Sequence, residues 1–278
     1  MRRRRRTPTR SADTIAVEDP AAGRRTAGEM TLFEHLRELR TRLVRSLIAL
    51  GLGAAVGYAI FPYLLELLIA PYCAVPSALR PEDTCSLVAL TPLEPFSVRI
   101  KTALVVGLFL GGPVIFYQLW RFIVPGLTAK ERRYSLPFVL TAQLLFAAGI
   151  GFAYLIVPRA LGVLLQLGGP GIDALLSATD YLSFFLALCV AFGLVFELPL
   201  VLISLVLLRV LKVDGLRRAR PYAIVIMAIS AAFITPTTDA VTLLFVVGPS
   251  WLFYELSIAV AWFVERRRRR AAARGDSV

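Results

Sequence analysis

The sequence predicts an all-α, polytopic integral membrane protein with six transmembrane helices and both termini in the cytoplasm. Composition, the spacing of apolar runs and the sidedness of charge predict it. Of 278 residues, 57% are hydrophobic and 18% charged, and mean hydropathy is +0.70. A soluble domain has about 45–50% apolar and about 25% charged residues. The apolar residues fall into six runs separated by polar loops. The 31 Lys and Arg residues divide 27 to 4 between the two sides of those runs. Under the positive-inside bias, the richer side is cytoplasmic. The net charge of +12 does not point to nucleic acid, because it lies in blocks flanking apolar runs.

Residues 1–29 hold Arg2 to Arg6, Arg10, Arg24 and Arg25 among small and polar residues, and read as a disordered basic tail near anionic lipid. Arg24-Arg25 is not taken as an export signal, since Glu29, Glu34 and Glu38 separate it from the first apolar run. Residues 32–43 read as an amphipathic lead-in helix, with Leu32, Leu36, Leu39 and Leu43 on one face and Glu34 and Glu38 on another. Arg37 and Arg42 are placed to offset the like-charge pair. Two readings of this face stand side by side: solvated or paired carboxylates, or one carboxylate held for a cationic partner.

The first span is expected near 43–63, with Gly53 and Gly57 at small-xxx-small spacing. Residues 64–95 read as an outer loop rich in proline, including Pro71. Its Cys73 and Cys85 would face an oxidising compartment and are expected to form a disulfide. Cys189, in an apolar run, reads as a buried small hydrophobe. The second span, near 96–124, is longer than a bilayer core requires, with Gly111-Gly112-Pro113 as its expected bend. Residues 125–133 form an inner loop, and a third span near 134–158 ends at Pro158. A second outer loop covers 159–179. The fourth span, near 180–208, carries Glu197, an intramembrane carboxylate expected to face protein or a water-filled cavity. After a basic loop at 209–221, the fifth span, near 222–234, is too short to cross a bilayer unaided. The sixth, near 241–264, carries Glu255 and precedes a basic tail at 265–278.

Enzyme chemistry finds little support. His35 is the single histidine, and Lys101, Lys130 and Lys212 lie at or beyond span ends. Serine and zinc proteolysis both need more. The chain contains no Gly-Lys dipeptide and hence no P-loop. No metal and no cofactor are expected.

Several motifs together resemble the TatC family, the polytopic subunit of the twin-arginine protein translocase. They are Phe33-Glu34-His35-Leu36-Arg37-Glu38-Leu39-Arg40-Thr41-Arg42-Leu43, Ala70-Pro71, and Pro113-Val114-Ile115-Phe116-Tyr117-Gln118-Leu119-Trp120-Arg121-Phe122. They continue with Lys130-Glu131-Arg132-Arg133, Phe196-Glu197-Leu198-Pro199, Arg218-Ala219-Arg220-Pro221-Tyr222, and Thr235-Pro236 with Asp239. The resemblance covers about residues 30–264 and implies one membrane domain: a concave bundle with short fifth and sixth helices. It implies export of folded proteins driven by the proton-motive force, with Glu38 and Glu131 receiving the two arginines of a signal peptide. Arg40, Phe122 and Arg132 would support that site; Glu197 and Glu255 would be intramembrane polar groups; Pro71, Pro113 and Asp239 would be structural. Implied partners are TatA- and TatB-like single-span subunits, twin-arginine signal peptides, the lipid bilayer and further copies of the chain, in a bacterial cytoplasmic membrane. The chain departs from the family pattern at Thr235-Pro236-Thr237-Thr238-Asp239, which lacks a second proline, and in the Cys73 and Cys85 pair. The alternative is a proton- or ion-coupled small-solute transporter using Glu197, which the absence of an internal repeat disfavours.

Overall fold

The lead-in stretch and the first apolar run form one continuous helix, α1 (Leu32–Ala59). The computed structural model describes residues 32–75, 87–123, 135–167, 177–207, 210–234 and 240–273. Its other helices are α2 (Phe61–Cys73), α3 (Glu94–Ile123), α4 (Ser135–Leu167), α5 (Ala178–Leu207), α6 (Val213–Arg218), α7 (Arg220–Ile234) and α8 (Ala240–Ala273). Five of them, α1, α3, α4, α5 and α8, are long and apolar enough to cross a membrane. The expected short fifth span is α7, whose 15 residues make about 22 Å of helix.

Three boundaries differ from the sequence reading. Residues 61–73, read as span end and loop, form the separate helix α2. The third span does not end at Pro158; α4 runs through it to Leu167. The last helix is not short: α8 has 34 residues, passes through Pro249 and continues into the basic run. Each of these three helices carries an internal proline. Proline removes one backbone donor, and a membrane bundle tolerates the gap where neighbouring groups cover the orphaned carbonyl.

Two such carbonyls are covered in full view. Pro62 has no N–H to offer Tyr58 O, four residues back; Arg99 of α3 donates to it from Nε at 3.2 Å and Nη2 at 3.0 Å. The same guanidinium lies 4.0 Å from the Tyr58 ring centroid, pinning the α1–α2 corner. Pro113 likewise leaves Phe109 O without a helix donor, and Gln143 Nε2 of α4 donates to it at 3.0 Å. Gln143→Leu should therefore destabilise the protein by about 1–3 kcal/mol, the cost of an unsatisfied buried acceptor. Adding Pro113→Ala, which restores the N–H, should recover most of that loss in a detergent thermal melt. No recovery would show that the Gln143 contact is incidental.

The core centres on α5, which packs against α3, α4 and α8. Tyr181, Phe185, Leu188 and Phe192 are fully or almost fully buried there, and the Tyr181 hydroxyl donates to Leu68 O of α2 at 2.8 Å. Cys189 is buried in this core, as expected. A smaller apolar cluster joins α6 to α8 through Val213, Leu216, Tyr254, Ile258 and Ala261. The segments entering α3 and α5 meet at the opposite end from α6, where Val88 pairs with Ser177.

Pairing sorts the charges to two ends. Arg99 sits beside the C-terminal end of α1, and Arg42 beside the C-terminal end of α3. The end holding Arg42 also holds Arg121, α6 and the C-terminal turns of α8, so it collects most of the basic side chains.

Candidate functional site

The basic end is built on the close pairing of α1 with α3. Arg42, Ser46, Ala49, Gly53 and Gly57 recur at three- and four-residue intervals and form the less exposed side of α1. Leu36, Leu39 and Leu43, the expected leucine face, are instead exposed on the outside of the bundle. These apolar residues are available to lipid, while Glu38 and Arg42 turn inward and Arg37, Arg40 and Arg45 stay exposed.

Arg42 is only 7% exposed. Its Nη2 donates to Glu38 Oε1, one turn earlier on the same face. Its Nη1 reaches Gln118 O of α3 at 3.5 Å, while its Nε has no hydrogen-bond partner among the described residues. A buried guanidinium needs a fixed counter-charge, and Glu38 supplies it. The Glu38 side chain keeps 28% of its surface open. A carboxylate accepts about four hydrogen bonds, so one residue can serve more than one donor.

Phe122 stands one turn beyond Gln118 on α3 and is half-buried. Trp120 stacks on Phe138 of α4, with ring centroids 4.0 Å apart, and joins the third helix to this end. Arg40 is exposed and lies about 200° around α1 from Glu38, so it is not brought to Arg42. Glu131 and Arg132 fall outside the described residues, as do Asp239 and Cys85. Cys73 lies in the last turn of α2 and not in a loop. Among the described residues no disulfide occurs, and the expected Cys73–Cys85 bridge lies beyond them.

Of the remaining expected residues, Glu197 is 7% exposed on α5, and its Oε1 has no hydrogen-bond partner among the described residues. Glu255 of α8 accepts from Arg220 Nη2 of α7 at 2.7 Å. Pro71 is buried within α2, and Pro113 is exposed within α3 without ending it.

Residues 34–249 match the family model described as TatC, Sec-independent protein translocase protein (TatC). The chain belongs to the TatC family. It is 38% identical over 254 residues to the Sec-independent protein translocase protein TatC of Frankia casuarinae, covering 89% of this chain and 69% of that one. The TatC of Aquifex aeolicus is 40% identical over 243 residues, covering 86% and 98%. Two crystal structures of the twin arginine translocase receptor TatC are also similar. One has a TM-score of 0.70 at 39% identity, covering 83% of this chain and 99% of that one. The other, in DDM, has 0.72 at 41%, covering 82% and 99%. TatC membership makes the protein a multi-pass component of protein transport and sets aside the small-solute reading of Glu197.

Within this TatC chain, three residues of the basic end escaped the sequence reading. Arg42 was visible only as an offsetting charge; its burial against α3 depends on Gly53, Gly57 and the partner helix. Gln118 carries no charge to mark it, yet its carbonyl receives Arg42. Arg220 read as one of five loop cations and is the partner of Glu255. A signal for the last did exist, since an acid in an apolar run requires a nearby cation.

Proposed function

We propose that the chain is the signal-peptide receptor and core of a twin-arginine translocase, exporting folded proteins with the proton-motive force and performing no covalent chemistry. The observation that carries this is Glu38: a carboxylate at the basic end, fixed by a buried arginine and still partly open. Glu131 would be the second acceptor, from the segment that follows α3. Two guanidinium groups call for two fixed carboxylates, each suited to bidentate pairing. Arg132 and Phe122 would shape the surroundings, and Arg40 would face lipid phosphate or solvent. The basic end would be cytoplasmic, following the charge bias, with both termini there in a bacterial cytoplasmic membrane. The apolar, exposed Val225, Ile226 and Ile229 of the short α7 offer a surface for TatA- or TatB-like single-span helices. Further copies of the chain would complete the receptor complex.

The test is binding of a labelled twin-arginine signal peptide to the purified full-length protein in nanodiscs. Its counterpart with both arginines replaced by lysine keeps the charge and loses the planar fork. The lysine peptide should bind at least about tenfold more weakly, which is about 1.4 kcal/mol. Equal affinity at matched salt would defeat the receptor reading.

A further inference from the structure

Where α6 lies against the last turns of α8, a recess of about 260 Å³ is lined by Val213, Asp214, Arg217, Trp262, Glu265 and Arg266. Its position along α8 marks a boundary. Val260, Trp262 and Phe263 are apolar and exposed, and the charged run begins at Glu265. A half-exposed tryptophan at the end of an apolar helix is characteristic of the level of lipid headgroups. The Arg266 guanidinium lies 5.0 Å from the Trp262 ring centroid, and that of Arg267 lies 4.4 Å from Phe263. Such stacking holds the cations near the interface and lowers their conformational freedom.

The charge of the recess is balanced. Arg217 and Arg266 supply two guanidinium groups from two different helices, and Asp214 and Glu265 supply two carboxylates. Arg218 and Arg267 flank it without lining it. A simple phosphate monoanion would meet both cations but also both acids. A zwitterion carrying phosphate and primary ammonium a few bonds apart brings an opposite charge to each set. The apolar residues on α8 below the recess would accompany acyl chains. The Val213, Leu216, Tyr254 and Ile258 cluster, with the Tyr254 hydroxyl donating to Leu216 O at 2.7 Å, fixes α6 on α8 so that the recess is preformed.

We propose that this recess binds the headgroup of a phosphoethanolamine lipid, with its phosphate between Arg217 and Arg266 and its ammonium toward Asp214 and Glu265. The site tethers the C-terminal part of α8 and the α6 turn to one lipid at the membrane surface. It stands apart from Glu38, so its failure and that of the receptor reading are separately visible.

The experiment is native mass spectrometry of the delipidated full-length protein, titrated with phosphatidylethanolamine or phosphatidylglycerol of identical acyl chains. The wild type should retain phosphatidylethanolamine at least about threefold more tightly. R217Q/R266Q should lose about tenfold or more of that affinity, since the phosphate loses both of its charge-assisted guanidinium partners. D214N/E265Q should reverse the preference toward phosphatidylglycerol. The Arg217 and Arg266 side chains are exposed, so their replacement leaves the bundle intact. Equal retention of the two lipids by the wild type, or unchanged affinity in R217Q/R266Q, would overturn the proposal. So would soluble phosphoethanolamine binding as tightly as the lipid, which would assign the recess to a free metabolite.

Discussion

Glu38→Gln is expected to weaken twin-arginine peptide binding by about 30- to 1,000-fold, the equivalent of roughly 2–4 kcal/mol for removing one partner of a hydrogen-bonded charge pair. The same substitution also removes the counter-charge of Arg42, which is only 7% exposed. Stranding a buried guanidinium costs up to about 3–5 kcal/mol, and less here because the Glu38 side chain is 28% open. Binding could therefore be lost in two ways, by removing the acceptor or by loosening α1 from α3. The double variant Glu38→Gln with Arg42→Gln separates them. It has no unpaired charge, so its thermal midpoint should return toward that of the wild type while its peptide affinity stays low. If affinity returns together with stability, Glu38 acts only as the partner of Arg42 and the receptor site lies elsewhere.

That experiment turns on a pair whose members were legible to different degrees. Glu38 could be singled out only by resemblance, since Glu34 carries the same charge on the same face of the lead-in. Arg42 could be matched to it by the four-residue interval alone. Its burial was not legible, because burial is a property of the α1–α3 pairing. The spans themselves were legible wherever an apolar run reached about 20 residues, and the charge bias sorted their ends. Proline misled the reading twice. Pro158 looked like a stop and lies inside α4; Pro71 looked like loop and sits in α2. Which group covers the carbonyl four residues before a proline is a separate question. For Pro62 and Pro113 the answers, Arg99 and Gln143, come from 37 and 30 residues away in the chain, beyond the reach of any local pattern.

Gly107→Ala should cost about 1–3 kcal/mol, the usual range for forcing an extra carbon into a filled contact. A Cβ at this position would lie 2.6 Å from Ala54 N and 2.7 Å from Leu50 O. Both are backbone atoms of α1, so no side chain can swing aside and the two helices must separate. Gly53, half of the small-xxx-small pair that sequence did reveal, faces the same point, with its added Cβ only 2.8 Å from Gly107 O. Gly51→Ala is the matched control, since a Cβ there meets nothing within 4 Å. That change should leave stability equal or raise it by about 0.5–1 kcal/mol through reduced backbone freedom. The consequence reaches the basic end. Gln118 lies three turns along α3 from Gly107, and Arg42 lies the same number of turns along α1 from Gly53. Spreading the helices at the glycines draws Arg42 away from Gln118 O and loosens the carboxylate that Arg42 holds. Gly107→Leu, with four carbons to place, should therefore lower both the thermal midpoint and the peptide affinity, although Gly107 lies three turns along α3 from Gln118. Equal midpoints for Gly107→Ala and Gly51→Ala would show that the α1–α3 approach does not set the stability of this bundle. Lowered stability in Gly107→Leu with full affinity would show that Glu38 needs no support from α3.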